Sequence, residues 1–233
     1  MKEIFFTDVL GIAKEYFVKP ASQFIPQWYK DTPSYSTGKK IPMQDGSSPA
    51  SVKRCMPVFD AITAGYIIPT YTDLECSLVK NESGEIERYY KWADFNAITF
   101  HPFRQVELHP SADGSSVAKW ECPWRIETPP GYSVYVKPPA HTESPFLIME
   151  GVVDTDKYNF EINFPFVLKD PKFEGIIPAG TPLAQVIPFK RESWQMSADS
   201  KENFYKDKKY ESFQRIHFFD YYKTFFRQKK EYK

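Results

Sequence analysis

Asp154 and Asp156 follow the run Glu150-Gly151-Val152-Val153, and Tyr158 comes directly after Lys157. A carboxylate can activate water when it is held in hydrogen-bond reach of that water and stays ionised near neutrality. Gln185 follows later, in Ala184-Gln185-Val186-Ile187, after the turn-forming Ala179-Gly180-Thr181-Pro182. The structural alternative for residues 151–158 is a turn that opens a core strand. His101 and His109 flank residues 103–108 and could meet at a metal across a strand, but Pro102 and Pro110 point to strand ends with solvated imidazoles. Trp92, Trp120 and Trp124 could stack on a base or sugar, or fill core and rim. Arg227, Lys229, Lys230 and Lys233 could touch nucleic acid, or simply complement the dipole of a helix end.

The scaffold for these side chains is bounded by composition. A chain of 233 residues can bury a full core as one domain with appendages. Its 30 basic and 30 acidic side chains cancel, so no net field favours nucleic acid or an anionic membrane as a partner. With 20 Phe, 15 Tyr and 20 Pro against 10 Gly, the composition reads as an all-β domain with ordered loops. Cys55, Cys76 and Cys122 form neither a C-x-x-C pair nor an even framework, and read as small buried side chains in a reducing compartment. Without a long apolar run or a signal peptide, the expectation is a soluble protein of the cytoplasm of a bacterial or phage-infected cell, or else of a virion.

Apolar positions at Ile4, Phe5, Val9, Ile12, Ala13, Tyr16 and Phe17 predict an amphipathic N-terminal helix ended by Pro20. Residues 20–52 read as a proline-rich loop anchored by Trp28 and Tyr29. Strands are predicted at 66–69, 74–79, 98–100, 117–120, 125–128, 132–137, 160–167 and 183–189, with turns at Asn81-Glu82-Ser83-Gly84 and Asp113-Gly114-Ser115-Ser116. Many short strands imply a barrel or sandwich. Near the end, Tyr210, Phe213, His217, Tyr221 and Phe225, widened by Phe218, Tyr222 and Phe226, predict a helix over about 201–227 with a broad aromatic face to bury. The expected domains are therefore 1–52, a helix and proline-rich loop; 53–191, the β-domain; and 192–233, an aromatic and basic helix.

Four segments, in order, resemble the motifs of the dUTPase family. Ala64-Gly65-Tyr66-Ile67-Ile68-Pro69 is similar to its opening element and Pro129-Pro130-Gly131-Tyr132 to its proline-glycine turn. Gly151-Val152-Val153-Asp154-Thr155-Asp156-Lys157-Tyr158 is similar to its third motif, and Gly180-Thr181-Pro182-Leu183-Ala184-Gln185 to its fourth. The resemblance implies a dUTPase-like β-clip, here flanked by the N- and C-terminal helices, and a homotrimer as the first expectation for assembly. It implies Asp154 as the base that activates water against the α-phosphate of a Mg²⁺-bound nucleotide, with Tyr158 against the sugar. Asp156, Gln185 and Tyr66 are the further ligand contacts it implies.

The chain departs from that pattern. Lys157 adds a residue between acid and tyrosine, and Asn159-Phe160 replaces a glycine. The phosphate-holding Arg-Ser-Gly-type turn has no counterpart. In its place stands Lys137-Pro138-Pro139-Ala140-His141, whose prolines remove two backbone donors. Residues 50–195 also resemble an uncharacterised family of bacteria and cyanobacterial tailed phages, in Lys53-Arg54-Cys55-Met56-Pro57, Asn163-Phe164-Pro165-Phe166 and Val186-Ile187-Pro188-Phe189 among other segments.

One further constellation comes from spacing. His141-Thr142-Glu143 has the H-x-E spacing of the facial triad of non-haem iron oxygenases; His217 would be the third ligand and Arg227 the oxoacid clamp. Against it, residues 201–230 read as helix where that arrangement needs strands, and His141 reads equally as a loop residue. The reading that emerges is a non-catalytic β-clip module for binding or assembly. The alternative is a nucleotide-binding protein or nucleoside-triphosphate pyrophosphatase, with Mg²⁺ as cofactor if it hydrolyses.

Overall fold

A computed structural model describes residues 2–13, 15–39, 49–93, 97–110, 117–198 and 221–233. Fourteen strands in four antiparallel sheets make these residues mainly β. The five-stranded sheet runs β11 (Gly151–Val153), β9 (Tyr132–Lys137), β14 (Pro182–Lys190), β3 (Tyr66–Pro69) and β2 (Lys19–Pro20). The four-stranded sheet runs β10 (Phe146–Ile148), β12 (Phe164–Leu168), β7 (Val117–Trp120) and β6 (Ile98–His101). A third sheet joins β13 (Gly175–Ile177), β4 (Leu74–Lys80) and β5 (Ile86–Lys91), and β1 (Phe5–Asp8) pairs with β8 (Trp124–Glu127).

Alternation builds the core. Val134 and Val136 of β9 are buried while Tyr135 and Lys137 lie on the other face; Phe164, Phe166 and Leu168 of β12 point inward likewise. The four sheets share one hydrophobic cluster, centred on edge-to-face aromatic pairs: Phe146 with Phe166 at 5.1 Å and Tyr71 with Trp120 at 5.2 Å. Asn81 and Gly84 close the β4–β5 hairpin at the predicted turn, whereas the predicted turn at 113–116 lies outside the described residues.

The N-terminal helix is not formed. Residues 5–8 are strand β1, paired antiparallel with β8 from Phe5↔Glu127 to Asp8↔Trp124. The Asp8 carboxylate then ends the strand, accepting the N–H groups of Leu10 (3.2 Å), Gly11 (2.8 Å) and Ala13 (2.9 Å). Phe5-Phe6-Thr7 favours a pleated surface, and an aspartate satisfying nearby backbone donors competes with a helix. Conversely, a helix appears where β structure was expected. After α1 (Gln27–Asp31) comes α2 (Met56–Thr63), with Pro57 in its first turn. A short α3 (Phe103–Val106) stands between His101 and His109 in place of a strand. The anchors of the proline-rich segment are Trp28, whose Nε1 donates to the His141 carbonyl at 2.7 Å, and buried Tyr29, stacked on Phe59.

Of the long C-terminal helix, residues 201–220, including His217, lie outside the described residues, and the described part is α4 (Tyr221–Phe225). Its Tyr222 and Phe225, and Phe226 beyond it, remain about half exposed. The segment behind it is pinned to α2. Arg227 and Lys230 both donate to the Asp60 carboxylate, at 2.6 and 2.9 Å, and Tyr232 meets the Tyr66 ring edge-on. Among the described residues no helix is long and apolar enough to cross a membrane.

The turn from α2 into β3 depends on Gly65. Its φ is +66°, and a Cβ there would overlap the backbone carbonyl oxygen of Val186 on β14. Gly65→Ala should therefore lose about 2–4 kcal/mol of stability, read as a fall in the urea midpoint at constant m-value. A melt superimposable on the parent would refute this close approach of the two backbones.

Candidate functional site

The acidic segment emerges from β11 as a single helical turn, not as the start of a strand. The Asp154 carbonyl accepts the N–H groups of Lys157 (2.9 Å) and Tyr158 (2.8 Å). Because this is a turn, the additional Lys157 does not reverse a strand's faces. Thr155 is buried beneath it and exchanges a 2.7 Å hydroxyl contact with Thr128, which fastens the turn to the end of β8.

Asp156 points at the Pro129-Pro130-Gly131-Tyr132 turn, so two of the motif-like segments meet. Gly131, at φ +84°, donates its N–H to Asp156 Oδ2 at 2.8 Å. Arg191, the residue after β14, completes the group. Its backbone N–H donates to the Gly131 carbonyl (2.9 Å), and its guanidinium forks onto both Asp156 oxygens, with Nη1 at 2.7 Å from Oδ1. The same Nη1 reaches Ser133 Oγ (3.0 Å) and Asp154 Oδ1 (3.2 Å), while Ser133 donates to Asp154 Oδ1 at 2.6 Å. The Asp156 side chain is 2% exposed and that of Asp154 60%. The Arg191 fork and then the Gly131 N–H hold the Asp156 carboxyl down to about 2. Asp156 is thus an ionised structural anchor. Only Asp154 offers a carboxylate oxygen to solvent, and it does so beside a guanidinium.

The other expected ligand contacts go elsewhere. The Tyr158 hydroxyl donates to the Glu161 carbonyl (3.4 Å) and its ring leans on Phe160. Gln185 is fully buried: its amide nitrogen donates to the carbonyls of Ala61 (2.9 Å) and Ala64 (2.7 Å), and its oxygen accepts the Ala140 N–H (2.9 Å). Tyr66 pairs across the sheet with Val186 and Pro20, packs on Phe6 at 5.3 Å, and reaches the Lys233 carbonyl at 3.4 Å. It lies on β3, separated from the acids after β11 by β14 and β9.

In the segment that replaces a phosphate turn, the Ala140 N–H is occupied by Gln185 and the Lys137 ammonium donates to the Pro138 carbonyl at 2.5 Å. Burial lowers the Lys137 pKa from its ordinary value. His141, in the left-handed region at φ 56°, and Glu143 are exposed loop residues, and Arg227 is engaged by Asp60. His101 Nδ1 contacts Gln105 Oε1 at 3.0 Å, on the adjoining short helix. Among the described residues no three His, Cys, Asp or Glu side chains converge as a metal site. All three cysteines are free; Cys76 and Cys122 are buried, with burial pushing the Cys76 thiol up to about 11, and Cys55 is exposed.

Sequence reasoning missed Arg191 and Ser133. A lone arginine after a strand carries no spacing signature. Its one signal is position, since the same strand carries Gln185. No protein-family model matches the chain, and neither a curated protein nor a solved structure matches it.

Two substitutions test this arrangement. Gln185→Leu should cost about 2–4 kcal/mol, since it strands buried backbone groups that the amide now satisfies. Asp156→Asn should lower the melting temperature at pH 7 and flatten the acid limb of the stability profile. The sign follows from the depressed folded value. The stabilisation is complete above the unfolded carboxylate range near ~4 and is lost as pH falls toward about 2. If the Asn variant and the parent lose stability in parallel between those values, Asp156 is not the group responsible.

Proposed function

We propose that the chain is a non-catalytic module for binding or assembly, built on a dUTPase-like β-clip and of bacterial or phage origin. The observation that carries this reading is the internal neutralisation of the acidic turn. Arg191 forks onto Asp156 and also touches Asp154 and Ser133, so the cation nearest the acids is already engaged by them. A site that handles phosphates needs unengaged donors, and here the candidate loop offers two prolines and an Ala140 N–H directed at Gln185. The β-clip assignment itself rests on the four motif-like segments. Exposed Val152 on edge strand β11, with exposed Tyr158 and Phe160 close in sequence, supports association with another surface, and a homo-oligomer, first a trimer, belongs to the same reading.

The alternative, a nucleotide-binding or hydrolysing protein with Asp154 as base, draws on the exposure of Asp154 and its 2.6 Å bond from Ser133. Any Mg²⁺ would then arrive with the nucleotide, because both Asp156 oxygens are held by Arg191 and Gly131.

A thermal-shift panel of deoxynucleoside triphosphates with Mg²⁺ separates the two. A ligand at a hundred times its dissociation constant stabilises its protein by about 2.7 kcal/mol. The expected result is no shift with any nucleotide. A shift that disappears in Asp154→Asn would overturn the non-catalytic reading in favour of the alternative.

A further inference from the structure

A cavity of about 450 Å³ runs along β13, an edge strand of the three-stranded sheet. Both Ile176 and Ile177 line it, although successive side chains of a strand point to opposite faces. A space that touches both therefore lies along the edge of the strand. No residue of β4 or β5 lines it, so this is the edge of β13 turned away from β4. Phe24, Phe173, Pro145 and Pro182 give it apolar walls.

The register fixes what that edge presents. At the tip of the β4–β5 hairpin, Asn81 donates its N–H to the Glu85 carbonyl at 2.9 Å, and the pairing continues from Val79↔Glu87 to Glu75↔Lys91. Hydrogen-bonded pairs alternate along an antiparallel ladder. Glu75, Ser77 and Val79 thus turn their backbone groups toward β5, and Leu74, Cys76 and Leu78 turn theirs away. The Leu78 N–H accordingly meets the carboxylate of Glu174, just before β13, at 3.1 Å. Gly175 and Ile177, opposite Cys76 and Leu74, bond to β4, while Ile176, opposite Glu75, points its N–H and C=O away from it. Among the described residues neither group has a partner.

The side chains around the groove offer acceptors and few donors. Thr142, Ser144 and Thr181 each donate a hydroxyl to a proline carbonyl, at 3.1, 2.6 and 2.6 Å, and Gln27 turns its amide nitrogen to Asp31 at 2.8 Å. The lining prolines have no N–H to give. Glu143 adds an exposed carboxylate that, among the described residues, has no hydrogen bond or ion pair. Lys169 donates to the neighbouring Thr142 carbonyl at 3.3 Å and does not pair with it.

We infer that the groove binds an extended peptide of a partner protein, which adds as a strand to β13 and sets an arginine or lysine, flanked by apolar residues, against Glu143. Backbone bonds to Ile176 hold such a peptide, and the carboxylate and apolar walls select it. The groove lies on a different sheet from the acidic turn and does not depend on the chemistry there.

The test is a titration of the isotope-labelled full-length protein with acetyl-Thr-Val-Arg-Val-Thr-amide, followed by NMR. A saturable shift is expected, largest at the Ile176 amide. Glutamate in place of the arginine should weaken binding at least about tenfold. Glu143→Gln, in an exposed loop, should remove most of that preference and leave the Ile176 shift in place. Two further peptides carry N-methyl groups on alternate residues. Only one alternate set of amides can face β13, so one should bind as the parent peptide does and the other at least about tenfold more weakly. Equal binding of the two methylated peptides would make this a plain apolar groove and overturn the assignment. So would equal affinity for the arginine and glutamate peptides, a Glu143→Gln variant that keeps the full preference, or no saturable shift by about 1 mM.

Discussion

Gln185 stands on β14 opposite Ile67 of β3, with the end of α2 and the diproline loop within hydrogen-bond reach of its side chain. A primary amide buried from water must find partners for its oxygen and its nitrogen, and leaving either unmet costs more than the bond itself contributes. Here both are met by backbone: Ala61 and Ala64 at the end of α2, and Ala140 in the loop after β9. One residue after Ala64, Gly65 approaches β14 so closely that no side chain fits between them. Through its bonds the glutamine joins a helix, a sheet and a loop.

Strand β14 carries a second constraint where it ends. Arg191 leaves the strand and draws the Pro129-Pro130-Gly131-Tyr132 turn and the acidic turn onto one guanidinium. Both constraints engage polar side chains within the protein: the Gln185 amide with three backbone groups, the Asp156 carboxylate with Arg191 and Gly131. Asp156 keeps its charge because the Arg191 fork favours the ionised carboxylate, and the diproline loop is held where the Gln185 amide oxygen accepts the Ala140 N–H.

What was legible in the sequence follows the range of the forces. β3, β7 and β9 occur with the bounds expected of them, because a short run rich in β-branched and aromatic residues between turn residues is a local property. β5, whose Ile86-Glu87-Arg88-Tyr89 reads as polar surface, forms because β4 is there to pair with it, and β10, β11 and β13 are only three residues each. The N-terminal run Ile4-Phe5 to Tyr16-Phe17 fits a helical period as well as a short strand followed by a loop. The pairing with β8 and the Asp8 carboxylate decide between them. In the site, Asp154, Asp156 and the turn at Gly131 were visible by resemblance and do come together. Arg191 was not, since its role depends on a fold that brings its strand end to them, and Tyr66, expected as a further ligand contact, lies on β3 against Pro20 and Phe6.

The order of strands has a consequence for how the chain is made. β14 is the middle strand of the five-stranded sheet, between β9 and β3, yet it is the last of the fourteen strands in sequence. Gln185 finds Ala64 across a separation of 121 residues. As the polypeptide leaves a ribosome, β3 and β9 emerge with their inner edges open and stay so until residues 182–190 arrive between them. Unpaired edges of that kind recruit neighbours, and sheets closed by distant strands form slowly. The growing chain thus carries an incomplete sheet from the emergence of β3 until residues 182–190 arrive. Its passage to the finished form is governed by one late strand, which makes yield in a cell sensitive to translation speed and to chaperones that shield strand edges.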